Sequence, residues 1–179
     1  VYLFAYGFPA LKHLIKTRED LKLIGQDLVE LGRVSGKSTE HLFREGLLAL
    51  KDLIKTKEDL KKIGQDLAEL GKAAGKNDWK LFQFGLSTLE ETFTPKELKA
   101  YWPTLVILGK IRGENAAALF GNGLPAVKDL IKTIDDLKMI GEEIAQLPGS
   151  ILKSEFPAFV KLLVEKNPDT ALQELIRHL

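Results

Sequence analysis

A phrase of 22 residues recurs almost unchanged along this chain, and a fold that accommodates it once must accommodate it again. Leu11 to Gly32 reads LKHLIKTREDLKLIGQDLVELG, and Leu50 to Gly71 reads LKDLIKTKEDLKKIGQDLAELG, with 18 of the 22 positions identical. Val127 to Leu147 returns as VKDLIKTIDDLKMIGEEIAQL, and Leu89 to Gly109 fills the slot between in degenerate form. The period of 38–39 residues divides the chain into units at approximately 1–36, 37–75, 76–114 and 115–150, with a shortened terminal unit at 151–179. Self-similarity at this period belongs to stacked supersecondary units, in which no single unit can bury its own apolar face.

Each unit divides at a threonine. Thr17, Thr56, Thr94 and Thr133 share one slot, and Asp20, Asp59, Glu97 and Asp136 follow three residues later. A hydroxyl and a carboxylate at this spacing can satisfy orphan amides at a helix start, so second helices are expected to begin near Arg18, Lys57, Pro95 and Ile134. Asn167, followed by Pro168, occupies the same slot in the tail and is expected to cap a last helix there. From each cap an apolar row runs in steps of three and four for about 16 residues. Its members are Leu21, Ile24, Leu28 and Leu31, then Leu60, Ile63, Leu67 and Leu70, then Leu137, Ile140, Ile144 and Leu147.

The first helix of each unit lies before the cap. Its buried side is expected to comprise Leu42, Phe43, Leu47, Leu50 and Ile54, matched by Leu3, Phe4, Phe8, Leu11 and Ile15 and by Leu119, Phe120, Leu124, Val127 and Ile131. Pro9 and Pro125 share a slot in this helix, which leaves open a split into a three-helix unit. Glycine recurs at Gly7, Gly46, Gly85 and Gly123 in the first helix and at Gly25, Gly64 and Gly141 in the second. A mid-helix glycine costs about 1 kcal/mol against alanine, so its recurrence calls for a close approach of neighbouring backbones. Gly36 and Gly75 are expected either to close the second helix or to shape the loop after it.

These features predict an all-α chain, an α-solenoid of about four and a half stacked helical hairpins roughly 45 Å long, taking ~10 Å per layer. The layout resembles the HEAT and armadillo class of α-solenoids across essentially the whole sequence, although the Pro/Asp/Arg pattern typical of HEAT units is absent. That resemblance implies a concave or convex surface for partners and carries over no functional residues. Because the first residues fall inside a repeat, the chain is expected to be part of a longer one.

Chemistry leaves little trace. There is no cysteine, so thiolate nucleophiles and cysteine zinc sites are excluded. His13, His41 and His178 are too dispersed for a metal-ligand spacing on one helix. No phosphate-binding loop and no activated serine occur, so neither an enzyme nor a cofactor is expected. A net charge of +1 provides no bulk drive toward nucleic acid or anionic lipid. No apolar run approaches the ~18 residues of a membrane span.

Two features can be read as binding sites. Lys22, Lys61, Lys99 and Lys138 share one slot in consecutive units, either a basic ladder for phosphates or an acidic partner, or a solvated helix face beside Asp27, Asp66 and Glu143. The third unit breaks the pattern with Tyr101-Trp102-Pro103, placing Trp102 in a glycine slot with a kink expected at Pro103. Trp102 then either fills the gap or stands partly exposed as an anchor for a partner, and Trp79, at the start of the same unit, carries the same choice. A scaffold that binds a protein or peptide partner is the leading expectation. A nucleic-acid-binding solenoid using the lysine ladder and a structural spacer or assembly subunit are the alternatives.

Overall fold

The computed structural model describes residues 2–168 and 170–179. The chain is all-helical, 86% helix, with no strand among the described residues. Four long second helices start at the expected residues: α1 (Arg18–Ser35), α2 (Lys57–Ala74), α3 (Pro95–Arg112) and α4 (Ile134–Ile144). All four carry the reciprocal capping box. The threonine hydroxyl accepts from the amide three residues on, and that residue's carboxylate accepts from the threonine amide. The Thr56 pair closes at 3.0 Å in both directions.

These hydrogen bonds hold the capping carboxyls below their ordinary range. Glu97 is lowered to about 2, first by Lys128 and then by the Thr94 amide and hydroxyl. At Asp20 the lowering comes first from Lys57. At Asp59 and Asp136 burial acts in the opposite direction and is outweighed by the cap.

Helix α1 packs against α2, α2 against α3, and α3 against α4. The first helices neighbour one another in the same order, and α5 (Gly149–Lys166) packs on the last of them, with α6 (Ala171–His178) against α5. At the end of α1, α2 and α3 stand Gly36, Gly75 and Gly113, with φ of 58°, 57° and 56°. Their ψ values near −120° place them where a side chain is strained, which is why glycine stands at each exit.

The first helices contain an element the apolar pattern did not announce. Each Leu-Phe-x-x-Gly stretch, Leu3–Gly7, Leu42–Gly46, Leu81–Gly85 and Leu119–Gly123, is a turn of π-helix. In each, the amide five residues after the leucine donates back to the leucine carbonyl. Such single-turn bulges re-aim the side chains around them. In the second unit the helix then ends at Ala49, so Leu50 and Ile54 lie beyond it, correcting their expected place on a helical face. Both are nonetheless fully buried, through a tight turn in which the Leu53 amide donates to the Leu50 carbonyl at 2.9 Å. Leu14 to Leu11 and Leu130 to Val127 repeat that turn at the same length. Since the second unit has no proline there, Pro9 and Pro125 do not cause the break.

Two further expectations are corrected. The tail helix starts after Thr170 rather than Asn167, which ends α5 instead. Helix α4 stops at Ile144, ahead of Pro148, so Leu147 lies past its end. Pro103 lies inside α3, which continues on both sides of it from Pro95 to Arg112.

Burial follows the slots rather than the residue types. All four residues of the α2 row are buried, whereas Leu21 of the α1 row is 46% exposed and Phe4 of the first unit is 76% exposed. These belong to the first unit, which has no preceding neighbour in the structure.

Candidate functional site

Trp102 lies in the core, 3% exposed, and its indole N–H donates to Asp66 Oδ2 at 2.7 Å. That bond ties α3 to α2. It also makes the third unit's departure intelligible. In the second unit the glycine slot, Gly64, receives Leu31, whose Cδ2 lies 3.0 Å from where a Cβ would stand. In the third unit Trp102 fills the slot, and the equivalent Leu70 packs over Gly109 instead, 2.5 Å from the position of its missing Cβ. The Asp66 carboxyl, raised chiefly by burial, is held by the indole that buries it. With ring and nitrogen both engaged, Trp102 is not available as an exposed anchor, and the gap-filling reading of this residue fits its surroundings.

Lys22, Lys61, Lys99 and Lys138 all point to solvent. Lys61 lies 3.6 Å from Asp27 of the preceding unit. Among the described residues the other three have no carboxylate within 4.0 Å. The structure therefore keeps the row exposed, with Lys22, Lys61 and Lys99 each at a separate surface groove, and among the described residues gives it no recurring aromatic platform on which bases could stack. No group of three or more metal-binding side chains occurs among the described residues. Among the described residues no helix is long and apolar enough to cross a membrane.

Trp79 is different. It is 38% exposed, and beside it lies Phe84, 52% exposed, with ring centroids 5.9 Å apart and an interplanar angle of 67°. The Lys80 ammonium stands 5.4 Å from the indole centroid. The π turn Leu81–Gly85 brings Trp79 and Phe84 onto one outer surface while Leu81 and Phe82 go into the core. The neighbouring unit supplies the far wall, Ala117, Gly121 and Asn122, with Lys153 of α5 at the end. Gly121 has nothing within 4 Å of its missing Cβ, so this wall faces open space.

Comparison with known families, curated proteins and solved structures finds no match to this chain.

In the second unit Glu40 and Glu45 hold the positions of Trp79 and Phe84, and both engage Arg44. The third unit replaces this polar surface with two aromatic rings flanked by lysines. Phe84 was not anticipated as part of a site; the signal was present in the substitution of Phe for Glu at a slot whose neighbours stay constant. The two tryptophans, equivalent candidates by sequence, thus part company: Trp79 lines a groove and Trp102 holds the core.

Proposed function

We propose that this chain is an α-solenoid scaffold for protein partners, and that the Trp79–Phe84 groove of its third unit takes a short peptide segment with an apolar side chain next to an acidic one. The solenoid reading is supported by the repeat period, by the recurring caps and by the order in which α1, α2, α3 and α4 neighbour one another. The single observation that carries the site is the exposed Trp79–Phe84 pair. Rings of that size left half in water mark a surface held ready for contact, and tryptophan is a preferred interface anchor. Lys80 and Lys153 at the groove add positive charge for a carboxylate.

Selection of peptides from a random displayed library against the chain tests this. The enriched sequences should contain an aromatic or aliphatic residue next to Asp or Glu. Their binding should be lost with Trp79→Ser and Phe84→Ser, and kept with Lys22→Glu and Lys99→Glu. Enrichment that survives both aromatic substitutions would refute the assignment of the groove.

A further inference from the structure

Two neighbouring interfaces of the repeat are built from matching slots and filled differently. Gly64 and Trp102 share one slot, and Asp27 and Asp66 share another. Between α2 and α3 the Trp102 ring closes the space, and its N–H donates to Asp66 at 2.7 Å. Between α1 and α2 the carboxylate is kept and the ring is missing. A cavity of about 490 Å³ lies there, within the size range of sites that enclose a ligand. Leu31, Leu60 and Gly64, all buried, wall it. Asp27 stands at its side, and the Lys61 ammonium approaches that carboxylate only to 3.6 Å, beyond hydrogen-bond length.

Leu31 accounts for the chain's not filling this space itself. Its Cδ2 stands 3.0 Å from where a Gly64 Cβ would be, so a ring carried on α2 would have to displace it. In the next interface that displacement has been made: Leu70 packs over Gly109, and Trp102 has the room. A ring that enters from the solvent side leaves Leu31 in place and packs on it. The bare backbone of Gly64 lets such a ring lie close, where a side chain would hold it off.

We infer that the cavity between α1 and α2 takes the indole of a tryptophan side chain presented by a peptide partner. The ring packs on Leu31, Leu60 and Gly64, and its N–H donates to the Asp27 carboxylate, as Trp102 does to Asp66. The rim explains why the ring comes on a peptide rather than as free indole. Glu30, Lys61 and Gln65 are exposed there and offer acceptors and donors to backbone amides, which indole itself lacks. The choice of a peptide rests on the scaffold reading, whereas the ring site rests on the Trp102–Asp66 pair. Neither uses the Trp79 groove.

The probe is N-acetyl-L-tryptophanamide, titrated into the full 179-residue chain carrying a nitrogen isotope label and followed by amide chemical shifts. Shifts centred on Asp27, Leu31 and Gly64 are expected, saturating below ~10 mM. The same amide methylated at the indole nitrogen should bind about tenfold more weakly, because it brings Asp27 no donor. Asp27→Ala should weaken the parent amide by a similar factor and erase the difference between the two probes, which a general disturbance of the fold would not do. A circular dichroism spectrum matching the parent verifies that Asp27→Ala is folded. Indole alone should bind about fivefold or more weakly than the amide. Trp79→Ser with Phe84→Ser should leave the shifts unchanged, which separates this site from the groove. No saturable shifts at ~10 mM, or shifts centred on Trp79 and Phe84 instead, would overturn the inference. So would equal binding of the methylated probe, or indole binding as tightly as the amide.

Discussion

Glycine to alanine at one slot of this repeat should change sign with position. At Gly25 a methyl meets a single atom, Phe8 Cζ, at 3.4 Å, an ordinary contact. Helix propensity and a less flexible unfolded chain then act alone, and Gly25→Ala should stabilise by up to ~1 kcal/mol. At Gly141 the same methyl overlaps Leu108 Cδ1 and stands 3.3 Å from Cδ2 and 3.4 Å from Cγ. Carbon pairs prefer roughly 3.5–4.0 Å, so Leu108 or the backbone of α4 must move. Overpacking of this kind costs about 1–3 kcal/mol, and subtracting a propensity gain of ~1 kcal/mol leaves a net loss of up to ~2 kcal/mol. Gly64→Ala should lie between, on the losing side, since its only obstacle is the end of the Leu31 side chain at 3.0 Å. Urea denaturation followed by circular dichroism reads the difference. With m of about 2 kcal/mol/M, the midpoint should rise by up to ~0.5 M for Gly25→Ala and fall by up to ~1 M for Gly141→Ala. Shifts of the same sign at Gly25 and Gly141 would refute the view that these glycines are slots for a neighbour's leucine.

Trp102→Ala should cost about 3–5 kcal/mol, as for other buried aromatic truncations, and should remove the blue-shifted, iodide-protected part of the tryptophan emission. Acid should destabilise the chain through its caps. The carboxyls of Asp20, Asp59, Glu97 and Asp136 are lowered in the folded state, so their contribution is fully present above the unfolded value and is lost as pH falls. For Glu97 the window runs from 4.5 down to about 2, and Glu97→Gln should flatten that part of a stability–pH profile. Asp66 and Glu90, raised first by burial, act in the opposite direction. The lysine row should show no salt-sensitive binding to a panel of DNA and RNA at physiological ionic strength, since Lys61 already faces Asp27 and no stacking platform accompanies the row. Tight binding weakened by Lys61→Glu and Lys99→Glu would reverse that expectation.

The helix starts were legible because a capping box is local: Thr56 and Asp59 satisfy each other's amides wherever the rest of the chain goes. The π turns were not, since apolar periodicity does not distinguish a five-residue hydrogen bond from a four-residue one, although the fixed Leu-Phe-x-x-Gly spelling marks each of them. The break after Ala49 escaped for a related reason, because Leu50 and Ile54 continue a helix-like spacing through a tight turn. Burial was read correctly in the inner units and incorrectly at Phe4 and Leu21, whose exposure depends on a neighbour rather than on their own sequence. The tryptophans show the same limit. Trp102 sits in a glycine slot and Trp79 in a glutamate slot, and only packing decides that the first is enclosed and the second open.

The central claim is that successive units step along one direction, each second helix lying beside the next. The absence of cysteine makes this directly measurable with pairs of spin labels at exposed, equivalent positions. Helix axes in contact lie about 8–10 Å apart, so labels at Lys22→Cys and Lys99→Cys should be separated by roughly 16–20 Å plus the label arms. The pair Lys22→Cys and Lys138→Cys should give roughly 24–30 Å plus the same arms. A longer mean distance for the second pair, by about one helix layer, is the result this account predicts. Equal distances, or a shorter one for Lys22 to Lys138, would mean that the units fold back on one another and would contradict the stacked scaffold.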